Sequence, residues 1–332
     1  MRPSLVVGAA ALLVASSLLT ASPAAAASSC RDVYAPVTVL GQRETVHGEL
    51  CSPAGGATTV QVLIPGSTYN SSYWHYDDGA HSFRDAQNAA GFATLAVDRL
   101  GTGSSSKPLG LTLTSFVQAD AVHQVVRGLR SGAYGPSYDK VIVGGHSLGS
   151  SIAILEAGTY HDVDGVLVTG LTHRANPAGV VTVLGSMIPA NLDPKFGLAY
   201  PLGYLTTSPG TRYNDFHAPG FLPAPLKALD ERTKDVFAPT EAVDGLGVAV
   251  LLPYSKLIDV PVLVVTGQYD GTVCGLLASN CSSAATLHAD ESPYYNDLRT
   301  YVLEGYGHSI NLAPNAGQYY SAVASWAREV VR

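Results

Sequence analysis

A serine set between two glycines, in Gly145-His146-Ser147-Leu148-Gly149, is the stretch of this sequence that promises most chemistry. A β-branched run, Val141-Ile142-Val143, leads into it, and a helical stretch, Ser151-Ile152-Ala153-Ile154-Leu155-Glu156-Ala157, leads out. A sharp turn from strand to helix requires small residues two positions either side of its apex. It pushes the apical hydroxyl into the open at a helix N-terminus, where backbone N–H groups and the helix dipole favour a developing negative charge. The pattern and its setting predict a nucleophilic Ser147. Other chemistries lack their residues. Lys107 has no glycine before it and Pro108 after it, so it is not a phosphate-loop lysine. No G-x-G-x-x-G opens the first strand–helix unit, and neither H-E-x-x-H nor C-x-x-C occurs, so no nucleotide, cofactor or metal is expected from motif spacing.

Such a turn has to be carried by a sheet. Apolar runs at 59–64, 93–97, 141–143, 165–169, 260–266 and 300–303 are nearly continuous, which indicates strands buried on both faces of a parallel sheet. Residues 37–40 and 45–50 suggest an opening antiparallel pair around Gly41. Helices are expected at 82–90, 115–130, 148–157 and 317–331. The second has Phe116, Ala119, Val122, Val126 and Leu129 at three- and four-residue spacing. Alternating strands and helices predict an α/β fold with right-handed crossovers. Residues 171–259 break the rhythm: they show no clear buried strand and are rich in Pro, Gly, Tyr and Phe, including Phe196, Tyr200, Tyr204, Tyr213, Phe216 and Phe221. A structureless loop of that length is not expected inside a compact domain. The segment is read as an inserted, largely helical lid on a core of residues 28–170 and 260–332, the alternative being a peripheral elaboration away from substrate.

With its strand–elbow–helix, the chain resembles the α/β-hydrolase family over residues 37–331. The resemblance implies an order of nucleophile, acid, histidine along the chain. The acid would follow a late strand, and Val262-Leu263-Val264-Val265-Thr266 is followed by Gly267-Gln268-Tyr269-Asp270, which makes Asp270 the candidate. The histidine would follow the last strand, and Gly307-His308 matches the Gly-His pair often found there. His308 would take the proton of Ser147, and Asp270 would hold the imidazole tautomer. The oxyanion donors implied are the backbone N–H of Leu148 and one from Pro65-Gly66-Ser67-Thr68-Tyr69, assigned to Ser67 with Thr68 as the alternative. The family commonly has His-Gly where this chain has Pro65-Gly66; a backbone donor tolerates the change. Asp98-Arg99-Leu100-Gly101-Thr102-Gly103-Ser104 also resembles a family turn, in which Asp98 and Arg99 fix loops near the site. His146 is expected to orient or pack.

Composition narrows the partners. The 332 residues are 46% apolar and 14% charged, which suits a folded chain with a sizeable core. The net charge of −7, with no basic stretch, argues against nucleic acid. Residues 1–27 combine a single charge, Arg2, an apolar run over 5–19 and an alanine-rich end, as in a secretory signal peptide cleaved after Ala26 or Ala27. An uncleaved anchor and lipidation at Cys30 are the alternatives. No later segment is apolar enough to span a membrane. Four cysteines in an exported chain suggest disulfides; proximity favours Cys30–Cys51 and Cys274–Cys281 among three possible pairings. A bridge at Cys274 would clip the loop that carries Asp270. Asn70 and Asn280 are glycosylation acceptors if the host glycosylates.

The function expected is that of a secreted, monomeric serine hydrolase acting on small apolar carboxylic esters without a cofactor. Amidase, peptidase, lactonase and cofactor-free perhydrolase activities on the same triad are alternatives. So is an inactive binding protein on the hydrolase scaffold.

Overall fold

A computed structural model describes residues 28–332, and the expected signal peptide at 1–27 lies outside the described residues. The opening pair is longer than its apolar centre suggested. β1 (Ser29–Val39) and β2 (Gln42–Ser52) pair antiparallel in continuous register from Ser29 opposite Ser52 to Val39 opposite Gln42. The register places Cys30 opposite Cys51, and the two form a disulfide. Along β1 the outer half of the ribbon alternates buried Val33, Ala35, Val37 and Val39 with exposed neighbours, so one face is wet.

The buried strands follow: β3 (Thr59–Ile64), β4 (Ala93–Val97), β5 (Lys140–His146) and β6 (Gly165–Thr169). After them come a small antiparallel pair, β7 (Met187–Pro189) with β8 (Leu205–Thr207), and then β9 (Val262–Gly267) and β10 (Leu298–Leu303). The main sheet has eight strands in the order β1-β2-β4-β3-β5-β6-β9-β10. From β4 to β10 all neighbours are parallel. Such a sheet needs helices on both faces. α1 (Phe83–Ala89) and α8 (Ala316–Val330) cover one face, and α2 (Ser115–Ser131) and α3 (Leu148–Tyr160) the other. β3 shows the division: Val60, Val62 and Ile64 join the core under α2 and α3, while Leu63 joins that under α1 and α8. α2 starts on Thr114, whose side chain accepts from the Val117 N–H, and stops at Gly132 in the left-handed conformation. On α2, Ala119, Val122, Val126 and Leu129 are buried, whereas Phe116 is 40% exposed and sits edge-on to Tyr254. The apolar stripe thus begins one turn later than its spacing suggested.

Between β6 and β9 the chain forms α4 (Pro177–Gly185), the β7–β8 pair, α5 (Ala224–Thr233) and α6 (Pro239–Val250). The expectation of a largely helical insertion missed the β7–β8 pair, whose strands are three residues each and too short to show as apolar runs. The remaining helix, α7 (Ala284–Glu291), lies between β9 and β10. Among the described residues no helix is long and apolar enough to cross a membrane.

Candidate active site

Ser147 stands alone between β5 and α3 with φ 52° and ψ −116°, a conformation that a β-branched or bulky residue would resist. The flanking glycines are sterically required. A Cβ on Gly145 would lie 2.1 Å from the carbonyl oxygen of Gly149, and a Cβ on Gly149 would lie 2.3 Å from that of Ile64 at the end of β3. The elbow is pinned from below, because the Ser147 N–H donates to the Thr169 carbonyl at 2.7 Å and Ser150 Oγ to the same oxygen at 2.9 Å. The Ser147 side chain makes no capping bond to its own helix. Leu148, the first residue of α3, has an N–H without an intrahelical acceptor.

Asp270 and His308 come from loops after β9 and β10, and the parallel pairing of those strands delivers both to the same edge of the sheet. His308 Nδ1 lies 2.7 Å from Asp270 Oδ2, with both side chains buried. The other carboxylate oxygen accepts from the Thr272 N–H at 2.9 Å and its hydroxyl at 2.6 Å. Thr272 Oγ1 is also 3.0 Å from His308 Nδ1. The Cε1 corner of the imidazole, between its two nitrogens, faces Gly170, where an added Cβ would lie 2.9 Å from it. Gly170 follows directly on Thr169, to which the elbow is bonded, and lines the same cavity as Ser147.

That cavity holds about 110 Å³ and receives Ser147, Leu148, Ser67 and Thr272 from the core. Its remaining wall is apolar and comes largely from the insertion: Val180, Val183, Leu184, Met187, Phe237 and Leu246. The aromatic residues that marked the insertion do other work. Tyr200 and Tyr204 donate to the carbonyls of Gly101 and Pro108, Phe216 stands 5.9 Å from the His308 ring, and Phe221 is exposed.

Ser67 lines the cavity while Thr68 turns away, its hydroxyl accepting from Arg212 Nη1 at 3.0 Å. Two buried arginines grip this loop. Arg99 Nη2 donates to the Gly66 carbonyl at 3.2 Å, and its Nη1 meets Glu241 of α6 at 2.5 Å. Arg212, over the Tyr69 ring, makes a two-point pair with Asp230 of α5 at 2.7 and 3.0 Å. Burial alone would raise the Asp230 carboxyl, but Arg212 and His217 hold it below the usual carboxylate range. His217 Nδ1 in turn reaches the Tyr306 hydroxyl at 3.0 Å, and Tyr69 bonds Ser309, the neighbour of His308, at 2.8 Å. The insertion is thus wired to both the Ser67 loop and the His308 loop.

His146 is fully buried, stacked on Tyr73 at 4.3 Å, with its ring 4.6 Å from that of His308. Burial first, and the His308 and His217 imidazoles after it, push its pKa well below the histidine norm, so it is neutral at physiological pH. Asp98 and Arg99 fix loops as anticipated: Asp98 accepts from the N–H groups of Ser71 and Ser104 and from His47. Cys274 and Cys281 are bonded, and the Cys274 N–H donates to the Asp270 carbonyl at 2.8 Å. Asn176, at the start of α4, ties the same loop to the insertion through Thr272 O at 2.8 Å and Cys274 O at 3.0 Å. Sequence reasoning missed Thr272, Arg212 with Asp230, Glu241 and Asn176. The Asp-x-Thr spacing of a side-chain-capped turn could have revealed Thr272. The two ion pairs span eighteen and 142 residues of chain and leave no local signature.

The model of the alpha/beta hydrolase family matches residues 61–317, and the chain belongs to that family. No protein of curated function matches it in sequence. Solved structures share its fold at low identity. Carboxylesterase CesB of Bacillus subtilis is 16% identical over 90% of this chain and 91% of its own, with a TM-score of 0.61. A thermostable carboxyl esterase of Bacillus coagulans is 14% identical over 91% and 99%, with 0.62. The enol-lactonase of Burkholderia xenovorans LB400 is 17% identical over 89% and 99%, with 0.58.

Proposed function

We propose that the protein is a secreted serine hydrolase that cleaves carboxylic esters by way of an acyl-enzyme, with Ser147 as nucleophile, His308 as general base and acid, and Asp270 as its orienting carboxylate. The observation that supports this reading is the 2.7 Å contact between His308 Nδ1 and Asp270, on an imidazole that packs against Gly170, which lines the same cavity as Ser147. With the Nδ1 proton given to Asp270, Nε2 is an acceptor and can take the hydroxyl proton as the oxygen attacks. The new C–O bond places negative charge on the former carbonyl oxygen, where the N–H groups of Leu148 and Ser67 stabilise it. As the tetrahedral species collapses, the ester C–O bond breaks and the imidazolium returns its proton to the departing alcohol. Water then repeats the sequence against the acyl-enzyme, releasing the carboxylic acid and restoring Ser147.

The apolar wall fits a small, uncharged acyl or alcohol group. The two disulfides and the alanine-rich leader support export, and the segment between β6 and β9 supports a lid role because it walls the cavity. The experiment is rapid mixing with p-nitrophenyl acetate. A burst of one p-nitrophenol per active site, with a Ser147 acetyl adduct trapped at low pH, is expected; steady hydrolysis unchanged in Ser147→Ala would reject the assignment.

A further inference from the structure

On the face of the sheet covered by α2 and α3, three metal-ligating side chains meet outside the catalytic machinery. His123 comes from α2, Glu156 from α3 and Asp162 from the turn after α3, and one ligand atom of each lies within 4.8 Å of the others. Glu156 is completely buried, and neither of its carboxylate oxygens has a hydrogen-bond partner; the same holds for both carboxylate oxygens of Asp162 and for His123 Nδ1. Arg130, a neighbouring cation, is committed to the carbonyls of Asp139 and Asp162 and to the Asp164 carboxylate. A buried carboxylate with nothing to bond is costly as the anion, so Glu156 and the neighbouring Asp162 share either a proton or a cation.

The alignment, and not the spacing, sets this cluster apart from a hydrogen-bonded one. His123 Nδ1 is 2.9 Å from Asp162 Oδ2, yet the two are not aligned for hydrogen bonding. Adjacent ligands at roughly 2.0–2.2 Å from a shared metal stand roughly 2.8–3.1 Å apart at right angles and roughly 3.3–3.6 Å apart in a tetrahedron, so the His123–Asp162 pair fits ligands near right angles, with the metal and not the partner ligand on the imidazole lone-pair axis. The His123 ring is stacked on Tyr160 at 3.8 Å, which fixes its orientation. A surface groove lined by Pro36, His123, Gln124, Arg127, Arg130 and Asp162 reaches the cluster, giving a cation an entry.

We propose that His123, Glu156 and Asp162 form a divalent-cation site. One imidazole nitrogen with two carboxylates suits zinc, with manganese next, better than calcium, which takes oxygen ligands. The cation would tie α2 to the distal end of α3. Glu156 is nine residues along the helix from Ser147, about 13 Å at 1.5 Å per residue, so the site acts on the scaffold and not on the reacting atoms.

The test uses zinc chloride alone on enzyme dialysed against EDTA, read by calorimetric titration and thermal unfolding. Expected are one saturable site per chain and, at a hundredfold excess over Kd, a Tm rise of roughly 3–6 °C. Both should be lost in Glu156→Gln and in His123→Gln, the second being a partly exposed site that keeps the fold if the first does not. A smaller shift is expected with calcium chloride. No saturable zinc binding, zinc binding retained in both variants, or a calcium shift as large as the zinc shift and retained in His123→Gln would each overturn the proposal.

Discussion

Arg99 Nη2 donates to the carbonyl oxygen of Gly66, and that carbonyl belongs to the same peptide group as the N–H of Ser67. A cation on the oxygen side of a peptide fixes its plane and strengthens the N–H on the other side as a donor. Arg99 is itself held by Glu241, whose second oxygen accepts from the Ala238 N–H and whose first also receives Gln118. The proposed oxyanion donor is thus set by a buried ion pair between core and insertion.

Arg99→Lys keeps the charge but not the two-sided fork. It should lower kcat by about 10–100-fold with little change in KM, since an oxyanion donor acts mainly in the transition state. Steady-state kinetics on a p-nitrophenyl ester checks this. A raised KM at constant kcat would assign Arg99 to substrate binding instead.

Thr272 gives Asp270 two hydrogen bonds and lies against His308 Nδ1. Thr272→Val retains shape and the backbone N–H but deletes the hydroxyl. Loss of one hydrogen bond to a charged group, about 1.5–3 kcal/mol, predicts a fall of about 10–100-fold in kcat. Asp270→Asn should cost far more, about 10⁴-fold, because the wrong imidazole tautomer results.

The Cys274–Cys281 bridge closes a seven-residue separation directly after the carboxylate. The Cys274→Ser, Cys281→Ser double variant should lose about 2–3 kcal/mol of stability by loop entropy. It should also lose turnover at a temperature where it remains folded, because the bridge fixes Cys274, whose N–H and carbonyl tie the Asp270 loop to itself and to Asn176. Unchanged kcat in the folded variant would leave the bridge with a stabilising role only.

His47 lies between Asp98 at 2.8 Å and Asp32 at 3.0 Å. The hydrogen bond it donates to Asp98, opposed by burial and reinforced by Asp32, raises its pKa to about 9 from 6.5. The folded state therefore holds a proton that the unfolded chain releases above pH 6.5. The stabilisation is complete below 6.5 and is lost as the pH rises through about 9. Tm measured across this range should fall, and His47→Gln should flatten that fall.

How much of this the sequence disclosed depends on how local each cause is. The elbow is local: Gly145 and Gly149 are there because a Cβ at either would strike backbone, and their spacing shows it. The apolar runs of β3, β5 and β9 are legible because these strands are buried on both faces. Asp270 and His308 are candidates by the order of elements, as each follows an identifiable strand. The insertion was legible only as an interruption. Its β7–β8 pair is too short to carry periodicity, and of the aromatics that marked it Tyr200 packs against the core and Phe221 stands exposed. The cavity wall is mostly aliphatic because α4 and α6 turn Val180, Leu184 and Leu246 toward Ser147.

The proposed activation of Ser147 is tested most directly by a fluorophosphonate probe, with the adduct located by peptide mass spectrometry. Rapid, stoichiometric labelling at Ser147 is predicted, abolished in Ser147→Ala and slowed at least a hundredfold in His308→Ala. Folded enzyme that takes up no probe at Ser147, or that labels there at an equal rate without the imidazole, would contradict the account.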